Sequence, residues 1–162
     1  NQKKFNIIIT FPNNDLGSNE IINYINKNFV NNKSVKIYKS LGGYDYLSFM
    51  KLCIKNSRAL IVMGNSSSGI KETMSFKCPV INIGSRQKDR VQGCNVINVN
   101  ANILEIEKAV KKINSDNSFI KKIRSTKNIY GDGKSAKKII DIISKTKLDN
   151  TIINKAHYEK KI

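Results

Sequence analysis

The densest cluster of residues able to do chemistry is the segment 63–72, MGNSSSGIKE. An apolar run at 59–63 (ALIVM) ends there, the chain turns at Gly64, and three consecutive hydroxyl residues open a stretch of helical spacing. Such a turn presents unpaired backbone N–H groups, and the helix dipole adds partial positive charge at the same end. The arrangement suits an anion such as a phosphate. The hydroxyls of Ser66 and Ser67 add donors, and Gly69 lets the backbone come close to a ligand. Glu72 falls about one turn further on, where a carboxylate can accept hydrogen bonds from both hydroxyls of a ribose. The same residues also fit a plainer role, in which the serines cap a helix and Glu72 complements its dipole. The segment is neither a Walker loop, GxxxxGK followed by Ser or Thr, nor a GxGxxG turn.

The elements around that turn follow from hydrophobic periodicity. Residues 5–10 (FNIIIT) read as a strand running into the turn-rich 12–18 (PNNDLGS), where Ser18 can cap a helix with Glu20 in its first turn. Ile21, Ile22, Ile25 and Phe29 then share one helical face. A second strand is expected at 34–38 and, after a turn at 41–43, a helix at 44–56 carrying Leu47, Met50, Cys53 and Ile54. The unbroken apolar run 59–63 predicts a central strand covered on both faces. A short helix at 69–76, strands at 80–83 and 95–99, and helices at 103–113, 119–127 and 136–143 complete the order, with a turn at 131–133. Strands alternating with helices predict an α/β fold, a Rossmann-like doubly wound parallel sheet, over residues 1–146. A polar tail would follow at 147–162. Ligands of such sheets bind outside the carboxyl ends of the strands, which directs attention to the turns after Thr10, Tyr38, Met63 and Ile83.

Composition narrows the function classes. The 162 residues suffice for one compact domain, with 40% hydrophobic and 25% charged residues. No stretch approaches the roughly 18 apolar residues of a membrane helix, and residues 1–4 do not begin a secretory signal, so a cytoplasmic protein without a membrane partner is expected. The net charge of +17 comes from lysines spread along the whole chain. Aromatic residues do not interleave with them as stacking platforms would, which argues for a solvated basic surface and against a nucleic-acid partner. That surface would still attract a small polyanion. Cys53, Cys78 and Cys94 form no CxxC and lie at no metal-ligand spacing, so reduced thiols are expected and no metal or cofactor. The single histidine, His157, falls in the tail.

Five blocks together resemble one family. Residues 12–18 (PNNDLGS), 64–72 (GNSSSGIKE), 78–90 (CPVINIGSRQKDR), 93–99 (GCNVINV) and 129–133 (IYGDG) are similar, in order and spacing, to the hydrolysing UDP-N-acetylglucosamine 2-epimerases. The resemblance runs from Phe5 to about Ser144. It implies the C-terminal half of a two-domain fold of the glycosyltransferase-B type, with the active site in the cleft between the halves. By the same resemblance Ser66 and Ser67 meet the diphosphate of UDP, Arg86 reaches it from the next turn, and Glu72 takes the ribose. Asn13 lies near the substrate, Ser18 adds a polar contact, and the backbone at Leu41 and Gly42 meets the uracil. A guanidinium suits the role given to Arg86, because it offers two parallel donors to phosphate oxygens. The chain departs from the family pattern at Lys77, where a glycine is usual, and at Thr73 and Met74.

The implied reaction eliminates UDP from UDP-N-acetylglucosamine and adds water with inversion at C2, giving N-acetylmannosamine and UDP for the synthesis of sialic-acid-like sugars. The resemblance places the acid and base in the N-terminal half. This half would stabilise the leaving group, and the full-length protein would self-associate. The glycosyltransferase-B class also contains donor-binding halves with a diphosphate-binding helix and a ribose-binding glutamate, but these lack the GSRQxxR block. A non-catalytic basic domain would instead bind any polyanion without preference for uridine.

Overall fold

A computed structural model describes residues 5–149. His157 and most of the expected tail lie outside the described residues. Among the described residues are five strands and six helices, which begin in alternation as β1 (Ile7–Thr10), α1 (Ser18–Phe29), β2 (Val35–Tyr38), α2 (Gly42–Lys55), β3 (Val62–Gly64) and α3 (Ser67–Lys71). A 3₁₀ turn (Thr73–Phe76) leads to β4 (Val80–Ile83), β5 (Val96–Val99), α4 (Ile103–Ser115), α5 (Asn117–Ser125) and α6 (Ser135–Lys145). Every strand pairing is parallel, as a Rossmann-like α/β half requires. The strands form a pair, β1–β2, and a triplet, β3–β4–β5. The link from β4 to β5 contains no helix, and residues 84–95 cross over as an irregular loop.

Helix starts follow local chemistry. The carboxamide of Asn102 accepts from the backbone N–H groups of Leu104 and Glu105 to open α4, and Asp116 accepts from Phe119 N to open α5. The backbone hydrogen bond from Phe119, helped by Ser118, holds the Asp116 carboxyl below its ordinary range. At α1 the expectation differs from the structure. Gly17, with φ +84°, occupies the cap position, and Ser18 is already the first helical residue. The Ser18 hydroxyl and backbone N–H both donate to the carbonyl of Asp15.

The main core lies where β4 and β5 meet α4 and α5, joining Ile81, Val99, Ala109, Ile113, Ile120 and Ile123. The central buried strand is therefore β4 (VINI), not the 59–63 run. Only part of that run forms β3, and Met63 is 47% exposed. The free edge of β3 does not pair with β1, so Ile61 and Val62 border an open cleft rather than a closed interior. Helix α6 is amphipathic as expected, yet it buries none of its residues among those described.

Two basic side chains tie the second half together. Arg58, just before β3, donates to Ile113 O at 2.9 Å and to Asn117 Oδ1 at 2.8 Å, closing the C-terminal end of α4. Lys77 adopts φ +59°, which explains why a glycine suits this position, and its ammonium donates to the Thr126 carbonyl beyond α5. Cys53 and Cys78 are buried free thiols that both face the Leu60 carbonyl, while Cys94 is partly exposed. The Cys53 thiol is lowered chiefly by its hydrogen bond with Cys78. That bond and burial push the Cys78 thiol up.

Asn95 is fully buried and binds two pieces of chain at once. Its Nδ2 donates to Thr73 Oγ1 at 2.9 Å and to Cys78 O at 2.7 Å. Replacing Asn95 by Ala leaves both acceptors without their donor, and burial makes that expensive. Asn95→Ala is expected to lower stability by about 2–3 kcal/mol, read from the urea midpoint at unchanged slope.

Candidate functional site

A cleft of about 510 Å³ opens at the carboxyl ends of β1 and β3. The strands supply Ile8, Thr10, Val62 and Val80, Ile61 adds apolar surface just before β3, and the turns that follow supply Asn13, Asp15, Asn65, Ser66 and Arg86. Residues far apart in sequence meet here because parallel strands end on the same side of the sheet.

The turn after β3 is built from inside outward. Gly64 adopts φ +147°, a conformation costly for residues with a Cβ, and redirects the chain out of the strand. Ser66 then caps α3, accepting from Ser68 N at 3.4 Å. Its hydroxyl lies 3.0 Å from that of Ser68, which lies 3.2 Å from the Tyr46 hydroxyl on α2. This chain of three hydroxyls fixes the Ser66 side chain at the cleft. Burial raises the Tyr46 phenol above its ordinary value, and the Glu72 charge adds to that rise, while the bond with Ser68 opposes it. The phenol therefore remains a neutral donor and acceptor at neutral pH. The Thr73 hydroxyl donates to Gly69 O at 2.6 Å, fastening α3 to the 3₁₀ turn.

The loop after β4 completes the wall. Gly84 turns the chain at φ +78°, and Arg86 and Gln87 follow with opposite fates. Arg86 is exposed and pairs with Asp15, Nη2 to Oδ2 at 3.0 Å. Gln87 is 3% exposed and donates to Asn65 O at 2.7 Å, which clamps the turn after β3 to the loop after β4. Further out, the Tyr130 hydroxyl donates to Val91 O, so the 129–133 turn braces this loop. Asp132 serves α6 instead, accepting from Lys134 N and pairing with Lys138.

The structure brings Asn13, Leu41, Ser66 and Arg86 to the cleft wall. Ser67 is the first residue of α3 and half-buried beside it. Glu72 stands exposed at the end of α3, close enough for its charge to act on Tyr46. Gly42 opens α2 at φ +65°, next to Leu41, and its N–H donates to Ser40 Oγ. Ser18 anchors Asp15 and is not among the lining residues. Sequence reasoning missed Asp15, Tyr46, Ser68 and Gln87. Asp15 and Gln87 lie inside blocks already singled out, but pairing across the cleft leaves no local signal. Tyr46 occupies an ordinary helical position. Among the described residues no group of three or more His, Cys, Asp or Glu side chains is placed to hold a metal ion. No helix of the described residues is long and apolar enough to cross a membrane.

Parallel α/β pairing and a cleft at the strand carboxyl ends define a Rossmann-like α/β domain. More specifically, the chain belongs to the UDP-N-acetylglucosamine 2-epimerase family, whose model matches residues 1–144. It is 40% identical over 117 residues to a GDP/UDP-N,N'-diacetylbacillosamine 2-epimerase (hydrolyzing) of Campylobacter jejuni, covering 70% of this chain and 28% of that protein. It is 32% identical over 151 residues to the UDP-N,N'-diacetylbacillosamine 2-epimerase (hydrolyzing) of Legionella pneumophila, covering 93% and 37%. A third relative, the polysialic acid biosynthesis protein P7 of Escherichia coli, is 45% identical over 85 residues, covering 52% and 20%. The chain thus spans between a fifth and two fifths of the length of these relatives.

Gln87→Leu keeps the volume of this buried residue but removes the donor to Asn65 O. The expected result is a stability loss of about 1–3 kcal/mol by denaturant titration, from the acceptor left unpaired and the lost clamp.

Proposed function

We propose that this chain is the UDP-binding half of a hydrolysing 2-epimerase acting on a UDP-linked 2-acetamido sugar, either UDP-N-acetylglucosamine or its 2,4-diacetamido counterpart. The observation that carries this reading is the convergence of Asn13, Ser66 and Arg86, from three separate turns, on one cleft at the strand ends. Family membership and the names of the relatives point to the same reaction. In the proposed assignment Ser66, Ser67 and Arg86 hold the diphosphate, Glu72 the ribose, and the backbone at Leu41 and Gly42 the uracil, with Asn13 and Ser18 at the margin. The reaction removes the proton from C2 of the sugar and breaks the C1–O bond, and the electron pair leaves on the diphosphate. Water then adds to the glycal with inverted configuration at C2. The contribution of this half is to stabilise charge gathering on the departing diphosphate, which donors already in place do without reorganisation. Proton transfer at C2 is assigned to the remainder of a longer polypeptide. The product, a mannose-configured acetamido sugar, would serve the synthesis of sialic-acid-like sugars, in keeping with the name of the Escherichia coli relative. The assembled protein is proposed to act in the cytoplasm as a homo-oligomer, without metal or organic cofactor.

Calorimetric titration of the chain with UDP, ADP and 2'-deoxy-UDP at moderate salt tests this assignment. UDP is expected to bind more tightly than either control. Arg86→Ala should weaken UDP by roughly ten- to a hundredfold, the range for a lost charge-assisted hydrogen bond. Glu72→Ala should erase the preference for UDP over 2'-deoxy-UDP. Equal, salt-sensitive binding of all three nucleotides would assign the affinity to the +17 surface and overturn the reading.

A further inference from the structure

The cleft holds an unusual balance of charge for so basic a protein. Of the residues that line it, only Asp15 and Arg86 are charged, and they are paired with each other. The Arg86 side chain is 54% exposed and that of Asp15 56%, and they touch through one Nη2–Oδ2 contact of 3.0 Å. That contact leaves the remaining guanidinium donors of Arg86 uncommitted. An ion pair so open to water is held weakly.

We propose that Asp15 is a built-in counterion of Arg86 that an incoming diphosphate displaces, and that it thereby sets how tightly the cleft holds the nucleotide. The proposal rests on Arg86 meeting the diphosphate, as argued above. A diphosphate carries more charge than one carboxylate and offers several oxygens to the guanidinium, so it wins the exchange. The backbone of Asp15 stays in place meanwhile, because both the N–H and the hydroxyl of Ser18 donate to its carbonyl. The carboxylate therefore leaves by side-chain rotation, and no rearrangement of the loop is needed. Ser18 acts here as a positioning residue for Asp15. The consequence is a graded affinity. Lysines over the whole surface draw polyanions toward the protein, while one acid at the cleft weakens their final hold. For an enzyme that must release UDP after each turnover, an acid beside the phosphate site shortens product residence.

The test compares UDP binding by calorimetry, at fixed ionic strength, to the unmodified chain, Asp15→Asn, Asp15→Ala and Glu107→Gln. Glu107 lies on α4, outside the cleft, and reports the effect of removing any one negative charge. The exchange predicts UDP affinity about three- to tenfold tighter in both Asp15 variants and unchanged in Glu107→Gln. Unchanged or weaker binding in the Asp15 variants would mean that Asp15 orients Arg86 rather than competing for it, and would overturn the proposal. An equal gain in Glu107→Gln would also overturn it, since overall charge would then be the cause. The nucleotide assignment fails by a different result. If Arg86→Ala binds UDP as well as the unmodified chain does, Arg86 is not a phosphate ligand, whatever Asp15 does. If the unmodified chain binds no UDP, both ideas fall together.

Discussion

Asn95 stands just before β5 and donates both protons of its carboxamide inward, to the hydroxyl of Thr73 and the carbonyl of Cys78. Its own carbonyl accepts the N–H of Val80 at 2.9 Å, the first rung of the β4–β5 ladder. One side chain and one peptide thus fix the start of the 3₁₀ turn, the residues leading into β4 and the start of β5. Space around it is tight, since a Cβ on Gly93 would lie 2.5 Å from Asn95 Oδ1. Small residues and amides at 93–95 are therefore a packing requirement. The positions of α3 and of the turn before it follow, because Thr73 in turn donates to Gly69 O.

From that fixed point the cleft is assembled by polar clamps rather than by apolar packing. Gln87 holds the Asn65 carbonyl, Tyr46 and Ser68 hold Ser66, and Tyr130 holds the far end of the loop after β4. Hydrogen bonds are directional, so they place donors with a definition that apolar contacts alone would not supply. The large core at β4, β5, α4 and α5 acts as the anchor for this wall. The opposite wall, from β1 and its following loop, has more exposed strands and is joined across the mouth by a single solvent-exposed ion pair. One side of the cleft is held by side-chain hydrogen bonds and the other by charge.

Much of the order of elements was legible in the chain. Strands at 7–10, 35–38, 80–83 and 96–99 and the four longest helices fell where alternating apolar runs and 3.6-residue spacing placed them, because both signals are local. The glycine turns after the strands were equally plain. Lys77 was visible as a departure from the family pattern, and its left-handed backbone gives that departure a physical meaning. The 59–63 run misled, because an apolar stretch records the absence of polar groups and not what will cover it. Here β3 is short, pairs on one edge only, and turns part of its apolar surface to the cleft.

By itself the sequence determined the parallel α/β class, the turns at the strand carboxyl ends, and the residue types offered there, since each depends on neighbours within a few positions. Only the tertiary structure decided which of those residues meet. Asp15 and Arg86 are 71 positions apart, and Gln87 reaches Asn65 across 22. Such pairings depend on how strands that are distant in sequence end side by side, and no local pattern encodes a distance across a cleft. Ser18 differs, since its contact is local: as a helix cap its hydroxyl would accept a backbone N–H, whereas with Gly17 at the cap position it donates to the Asp15 carbonyl three residues back.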